Sequence, residues 1–251
     1  MLKLFPFIAC FFFSTFTYAN HFKLVIYTDQ FAPYNFINEH GQLVGANYDI
    51  VNALCIKAEV ECDFKVMPWK RAAMLVHKKP YSAIFSMAQH TNRIPLFNWL
   101  GPLTTARTYF YKLKSRPDVT VNTLNDTTLY SLGMVRGDIY QSLVKKIGFV
   151  NGQNLMTFGE EQQYIQLFIN NKIDLILGSE HVIYNQLKPY NVSLLDVEQL
   201  TELPVSNDLK DNYLAFNKAV PKHIVDRFQH AFKVLKQERS LDSFIAPYSN
   251  N

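Results

Sequence analysis

The chain has 251 residues, 48% of them hydrophobic and 18% charged, and its 25 Lys and Arg against 21 Asp and Glu leave a formal net charge of +4. This length suits one large domain or two small ones. So slight a basic excess, with no basic run, excludes the electrostatic footprint of a nucleic-acid-binding protein.

Residues 1–19 read as a secretory signal peptide. Lys3 supplies the positive start, an apolar Phe-rich run follows, and Thr17-Tyr18-Ala19 offers small residues for cleavage. The run of about 13 residues is short for a bilayer span, and no later stretch reaches 18 apolar residues. The expectation is therefore a soluble, exported protein that begins near Asn20, with a net charge of +3 once Lys3 is removed from the +4.

Strands and helices then alternate. Residues 22–27 form an apolar strand, and 48–58 carry Ile50, Val51, Leu54 and Ala58 at helical spacing. Residues 62–67 read as a strand, 69–77 as a short helix and 81–87 as a strand. A second cycle gives a strand over 129–135, a helix over 139–147 opened by Gly137-Asp138, a helix over 161–170 and a buried strand over 173–177. A strand over 212–217 and a long amphipathic helix over 222–237 close the chain. Such alternation predicts α/β sheets with helices on their faces. Two cycles without a repeat or a Gly/Ser linker predict two lobes joined by extended strands.

Cys10 leaves with the leader, so Cys55 and Cys62 remain. An oxidising compartment favours a disulfide between them, with two buried free thiols as the alternative. No histidine lies near enough to complete a metal site, so neither metal nor cofactor is expected.

Read in order, several segments resemble the periplasmic solute-binding proteins of polar amino-acid ABC transporters. The nearest pattern is that of the lysine/arginine/ornithine- and histidine-binding branch. Phe31-Ala32-Pro33-Tyr34 is similar to the aromatic-Ala-Pro-aromatic segment after the first strand. Gly45-Ala46-Asn47-Tyr48-Asp49 is similar to the start of the first long helix. Cys55 and Cys62 match the family disulfide, Thr91-Asn92-Arg93 is a shortened form of a Thr-x-x-Arg motif, and Gly137-Asp138 stands at the helix start of the second lobe. The resemblance implies a two-lobed type II periplasmic binding fold with two hinge strands, lobe 1 spanning 20–108 plus 212–251 and lobe 2 spanning 109–211. It also implies a monomer in the periplasm that captures a small polar solute in the interlobe cleft, closes by hinge motion, and delivers it to an inner-membrane permease.

The same resemblance assigns the cleft residues. Arg93 falls at the arginine that clamps the ligand carboxylate, a contact suited to a planar guanidinium. Trp69 and Phe31 fall where aromatics stack on the ligand. Ser86, after the third strand, is a further candidate: it either accepts from a ligand ammonium or caps the strand end. Arg71, in Pro68-Trp69-Lys70-Arg71-Ala72, would sit in a first helical turn, where the dipole favours an acid; that mismatch points to the cleft. Two acids depart from the pattern. Asp138 replaces a Ser or Thr and suits an N-cap, and Glu180 follows Ser179 at or near the aspartate that meets the ligand ammonium. Glu180 is also the one candidate acid for a cyclohexadienyl dehydratase-like enzyme on this fold. The other alternative is a sensory binding module for a membrane partner.

Overall fold

A computed structural model describes residues 23–204 and 211–248. The leader expected over 1–19, Phe22 of the first strand and the end of the chain lie outside the described residues. Strand β1 (Lys23–Thr28), helix α1 (Ala46–Lys57), β4 (Glu61–Val66), α2 (Trp69–Lys78) and β5 (Ser82–Met87) follow the expected order. A small β2 (Phe36–Ile37) and β3 (Leu43–Val44) hairpin precedes α1. Strand β6 (Phe97–Thr105), not anticipated, joins the first sheet, as does β12 (Asp211–Asn217). The sheet order is β4-β1-β5-β12-β6, with β4, β1 and β5 parallel and β12 antiparallel to both its neighbours.

The second sheet places β7 (Tyr109–Leu113) between β10 (Ile176–Gly178) and β11 (Val197–Glu202), both antiparallel to it. A parallel pair, β8 (Leu132–Val135) and β9 (Leu155–Phe158), is attached through the bridge between Leu132 and Leu175. Helices α3 (Gln141–Lys146), α4 (Glu161–Ile169) and α5 (Glu180–Leu187) belong to this half, and α6 (Lys222–Glu238) returns to the first. The helix expected from residue 139 begins later. Gly137 has φ 82, and the Asp138 carboxylate accepts from the backbone N–H of Tyr140, so a turn precedes the helix and Asp138 does not cap it.

Each sheet is covered on both faces, which the parallel strands β4, β1 and β5 of the first sheet require. On one side of the first sheet, Ile50, Leu54, Phe228 and Leu235 of α1 and α6 pack against Leu24, Phe85 and Phe216. On the other, Ala72 and Val76 of α2 meet Ile84, Met87 and Ala215. Phe110 and Phe149 fill one side of the second sheet; Tyr164, Phe168 and Ile183 fill the opposite side. Cys55 of α1 and Cys62 of β4 form a disulfide.

The chain passes from β6 to β7 through residues 106–108 and returns after β11. The two crossings are tied together: Leu203 N–H donates to the Thr108 carbonyl at 2.9 Å, and Thr105 Oγ1 donates to Asp211 Oδ1 at 2.6 Å. Among the described residues, no helix is long and apolar enough to cross a membrane.

Candidate functional site

The first sheet ends its parallel strands at a loop that the sequence builds tightly. Asn35 N–H donates to the Phe31 carbonyl, and the Pro33 and Tyr34 carbonyls accept from the N–H groups of Ala46, Asn47 and Tyr48. The loop thus supplies the caps that the α1 N-terminus lacks from side chains. Gly45 allows this approach: at φ 125, a Cβ would stand 2.5 Å from the Tyr34 carbonyl oxygen.

Beneath the loop runs a buried polar chain. Asn35 Nδ2 donates to the Asp29 carbonyl at 2.9 Å, and Ser86 Oγ donates to Asn35 Oδ1. Ser86 Oγ in turn accepts from Asn47 Nδ2 at 2.8 Å, while Thr104 Oγ1 donates to Asn47 Oδ1 at 2.8 Å. Ser86 lies inside β5 at φ 60, so this network holds a non-glycine residue in the left-handed region. Its hydroxyl is already engaged by two side chains.

Across from this loop stands the second lobe. Tyr34 Oη and Ser179 Oγ are 3.4 Å apart. The Lys70 side chain approaches Gly137, whose Cβ position would lie 3.3 Å from Lys70 Cε. Val182 of α5 packs into the core of the first lobe, and Asn185 Nδ2 donates to the Tyr248 carbonyl at 3.4 Å. The two lobes are therefore in contact.

Asp29 directly follows β1 and is held by Asn35. Burial pushes its carboxyl up to about 7; its own backbone and Asn35 oppose the rise, and the Asp138 charge adds to it. Burial likewise raises Asp138, against its bond from Tyr140 N–H, and raises Glu161, with Asp138 contributing. Gln186 Nε2 donates to Glu161 Oε2 at 2.9 Å and to Tyr164 Oη at 3.0 Å. Thr108 Oγ1 donates to Tyr140 Oη at 3.1 Å, and burial lifts that phenol to about 12. The Asp138 charge thus acts on both Asp29 and Glu161, all three are partly buried, and none forms an ion pair with a described cation.

The residues singled out in the sequence fall into separate groups. Trp69 opens α2, half-buried, with the Arg93 guanidinium 5.7 Å from its ring centroid. Arg93 itself is half-buried and makes one long bond, Nη1 to the Ala88 carbonyl at 3.4 Å; burial lowers its pKa. Arg71 is exposed in the first turn of α2. Phe31 lies 5.0 Å from the Tyr34 ring, partly buried against the first core. Asp138 joins Asp29. Glu180 does not: it is exposed at the first position of α5, behind the Ser179 cap, and its charge acts on Tyr111. Sequence reasoning missed Asp29 and Glu161. Asp29 carried a signal, an acid at the C-terminal end of an apolar strand, where α/β folds place ligands. Glu161 carried none, because a first-turn acid also matches the helix dipole.

Residues 24–251 match the bacterial extracellular solute-binding proteins, family 3. The arginine-binding periplasmic protein of Mannheimia haemolytica is 21% identical over 222 residues, 85% of either chain. Among solved structures, a histidine kinase sensor domain with similarity to periplasmic binding proteins superposes with a TM-score of 0.74 at 13% identity, covering 90% of this chain and 94% of that one. A periplasmic binding protein of Salmonella typhimurium with high arginine specificity gives 0.71 at 17% identity, covering 89% and 97%.

Proposed function

The chain belongs to the bacterial extracellular solute-binding proteins of family 3, and on that premise we propose that it captures a small cationic or zwitterionic polar solute between its lobes. The observation that carries this reading is the pair Asp29 and Asp138. Both are partly buried, the Asp138 charge acts on Asp29, and among the described residues neither forms an ion pair. A partly buried acid without a partner is costly, and a cationic ligand removes that cost. Arg93 supplies the opposite pole, half-buried beside Trp69 with most of its donors unused. A basic amino acid has both ends, and arginine is the solute named for two relatives.

We assign residues 20–108 and 212–251 to lobe 1 and 109–211 to lobe 2. In this assignment Asp29, Trp69 and Arg93 belong to one jaw and Asp138 to the other. A ligand bridging both binds the closed state better than the open one, which is the condition for driving closure. The chain acts as a periplasmic monomer that presents its solute to an inner-membrane ABC permease and carries out no chemistry. Glu180, the one acid named for a dehydratase-like alternative, is exposed. A sensory role is the second reading, favoured by the likeness to a kinase sensor domain.

A thermal-shift screen of the ligand-free protein against basic amino acids, polyamines, neutral amino acids and dicarboxylates tests this function. A solute at 100 times its Kd stabilises by about 2.7 kcal/mol. Basic solutes are expected to stabilise the protein and Asp29→Asn to abolish the effect. A tightly bound dicarboxylate that tolerates Asp29→Asn overturns the reading.

A further inference from the structure

We propose that Tyr248 is a positioning residue of the cleft: the C-terminal turn straps helix α5 of lobe 2 to the N-terminus of α1 and biases the lobes toward closure. This rests on the cleft being the ligand site and goes further, because it couples closure to a contact that no ligand need touch.

One face of α5 makes the contact. Ser179, Val182 and Asn185 recur every third residue, so they share a side of the helix. Each of them meets lobe 1. Ser179 Oγ stands 3.4 Å from Tyr34 Oη, Val182 is buried in the first core, and Asn185 Nδ2 donates to the Tyr248 carbonyl at 3.4 Å. The Asn185 amide also donates to the His181 carbonyl of its own helix at 2.8 Å. That nearer bond orients the amide, and its second N–H reaches across the lobes.

The C-terminal turn offers its carbonyl from a fixed position. Phe244 is buried in the first core, and Ile245 and Tyr248 pack against that core. Pro247 stiffens the backbone just before Tyr248. Tyr248 Oη donates to Asp49 Oδ2 at 2.7 Å, in the first turn of α1, and its ring stands edge-on to Phe36 at 6.0 Å. The Pro33 and Tyr34 carbonyls bind the same end of α1. Tyr34 and Tyr248 therefore hold α5 from one base, the N-terminus of α1. Contacts made only while the lobes meet favour the closed form, and they raise the fraction of protein ready to bind.

Pulsed electron paramagnetic resonance of the ligand-free protein reads the interlobe distance. Spin labels go on Lys78→Cys and Lys145→Cys, exposed positions of lobe 1 and lobe 2. Asn185→Ala and Tyr248→Phe should each move population to longer distances at unchanged far-ultraviolet dichroism. The closed-to-open ratio should fall roughly two- to tenfold, the effect of one hydrogen bond. The double variant should fall little further than Asn185→Ala alone, because both substitutions act through one contact. Distance distributions that match the parent in Asn185→Ala overturn the proposal, and so does a double variant whose shift is the two single shifts combined. Asn185→Ala leaves α1 untouched, so it decides the matter even where loss of the Tyr248 hydroxyl disturbs folding. The measurement needs no ligand: failure of every solute to bind would sink the cleft reading and leave the distances to judge the strap.

Discussion

Asp29 links the site to stability, and the sign of that link is fixed. Its folded pKa of about 7 stands above the ordinary value of 3.8, so the folded state binds more protons between those limits. Stability is then greatest below the lower limit and falls as pH rises through the window, by at most about 4 kcal/mol for this group. Asp29→Asn should remove the slope. The variant should be more stable than the ligand-free parent at pH 8, by roughly 1–4 kcal/mol in urea unfolding, and similar to it at pH 4. Matching pH profiles for the two proteins would refute the burial of this carboxyl. Arg93 is the converse case, a half-buried cation that makes one long bond. Arg93→Ala should weaken a carboxylate-bearing ligand by about 2–5 kcal/mol, if that pair is desolvated on closure. Folding should survive, since the guanidinium makes only one long bond in the protein. Calorimetry showing unchanged affinity would remove Arg93 from the site.

At the scale of elements, the loop before β2 and the N-terminus of α1 form one unit. The loop carbonyls cap the helix, and the helix in turn fixes Tyr34 and Asn35, which hold Asp29 and touch Ser179. Gly45 is where the two backbones meet. Gly45→Ala would need φ 125 and would press its Cβ against Tyr34 and Asn35. A cost of about 2–4 kcal/mol is expected from strain and overpacking. Weaker ligand binding should accompany it, because the loop must retreat. A chemical-denaturation midpoint within error of the parent would show that the loop is not fixed this way. The sequence signalled this unit through Phe31-Ala32-Pro33-Tyr34 and Gly45-Ala46-Asn47. It did not signal β6 or β7, whose partners lie far along the chain: β6 pairs with β12, more than 100 positions away.

For the whole molecule, the balance between open and closed forms rests on a small set of cross-lobe contacts. Val182 is an apolar member of this set, a side chain of α5 seated in the first core. Val182→Asn would bury an unpaired amide there, which favours separation of the lobes. Solution scattering of the ligand-free variant should give a larger radius of gyration than the parent at unchanged far-ultraviolet dichroism, and ligand affinity should drop. An unchanged radius would mean that this contact does not govern closure.

The sequence by itself determined the α/β alternation, the cysteine pair, the family resemblance and most helix positions. These depend on local periodicity and on short ordered motifs, which need no knowledge of distant partners. It also brought forward Asp138, but it grouped that residue with Glu180. Only the tertiary structure separated them, leaving Glu180 in solvent and joining Asp138 to Asp29 and Glu161. The reason is physical: an acid's charge state and partners depend on enclosure and on neighbours supplied by other elements. Position along the chain records neither.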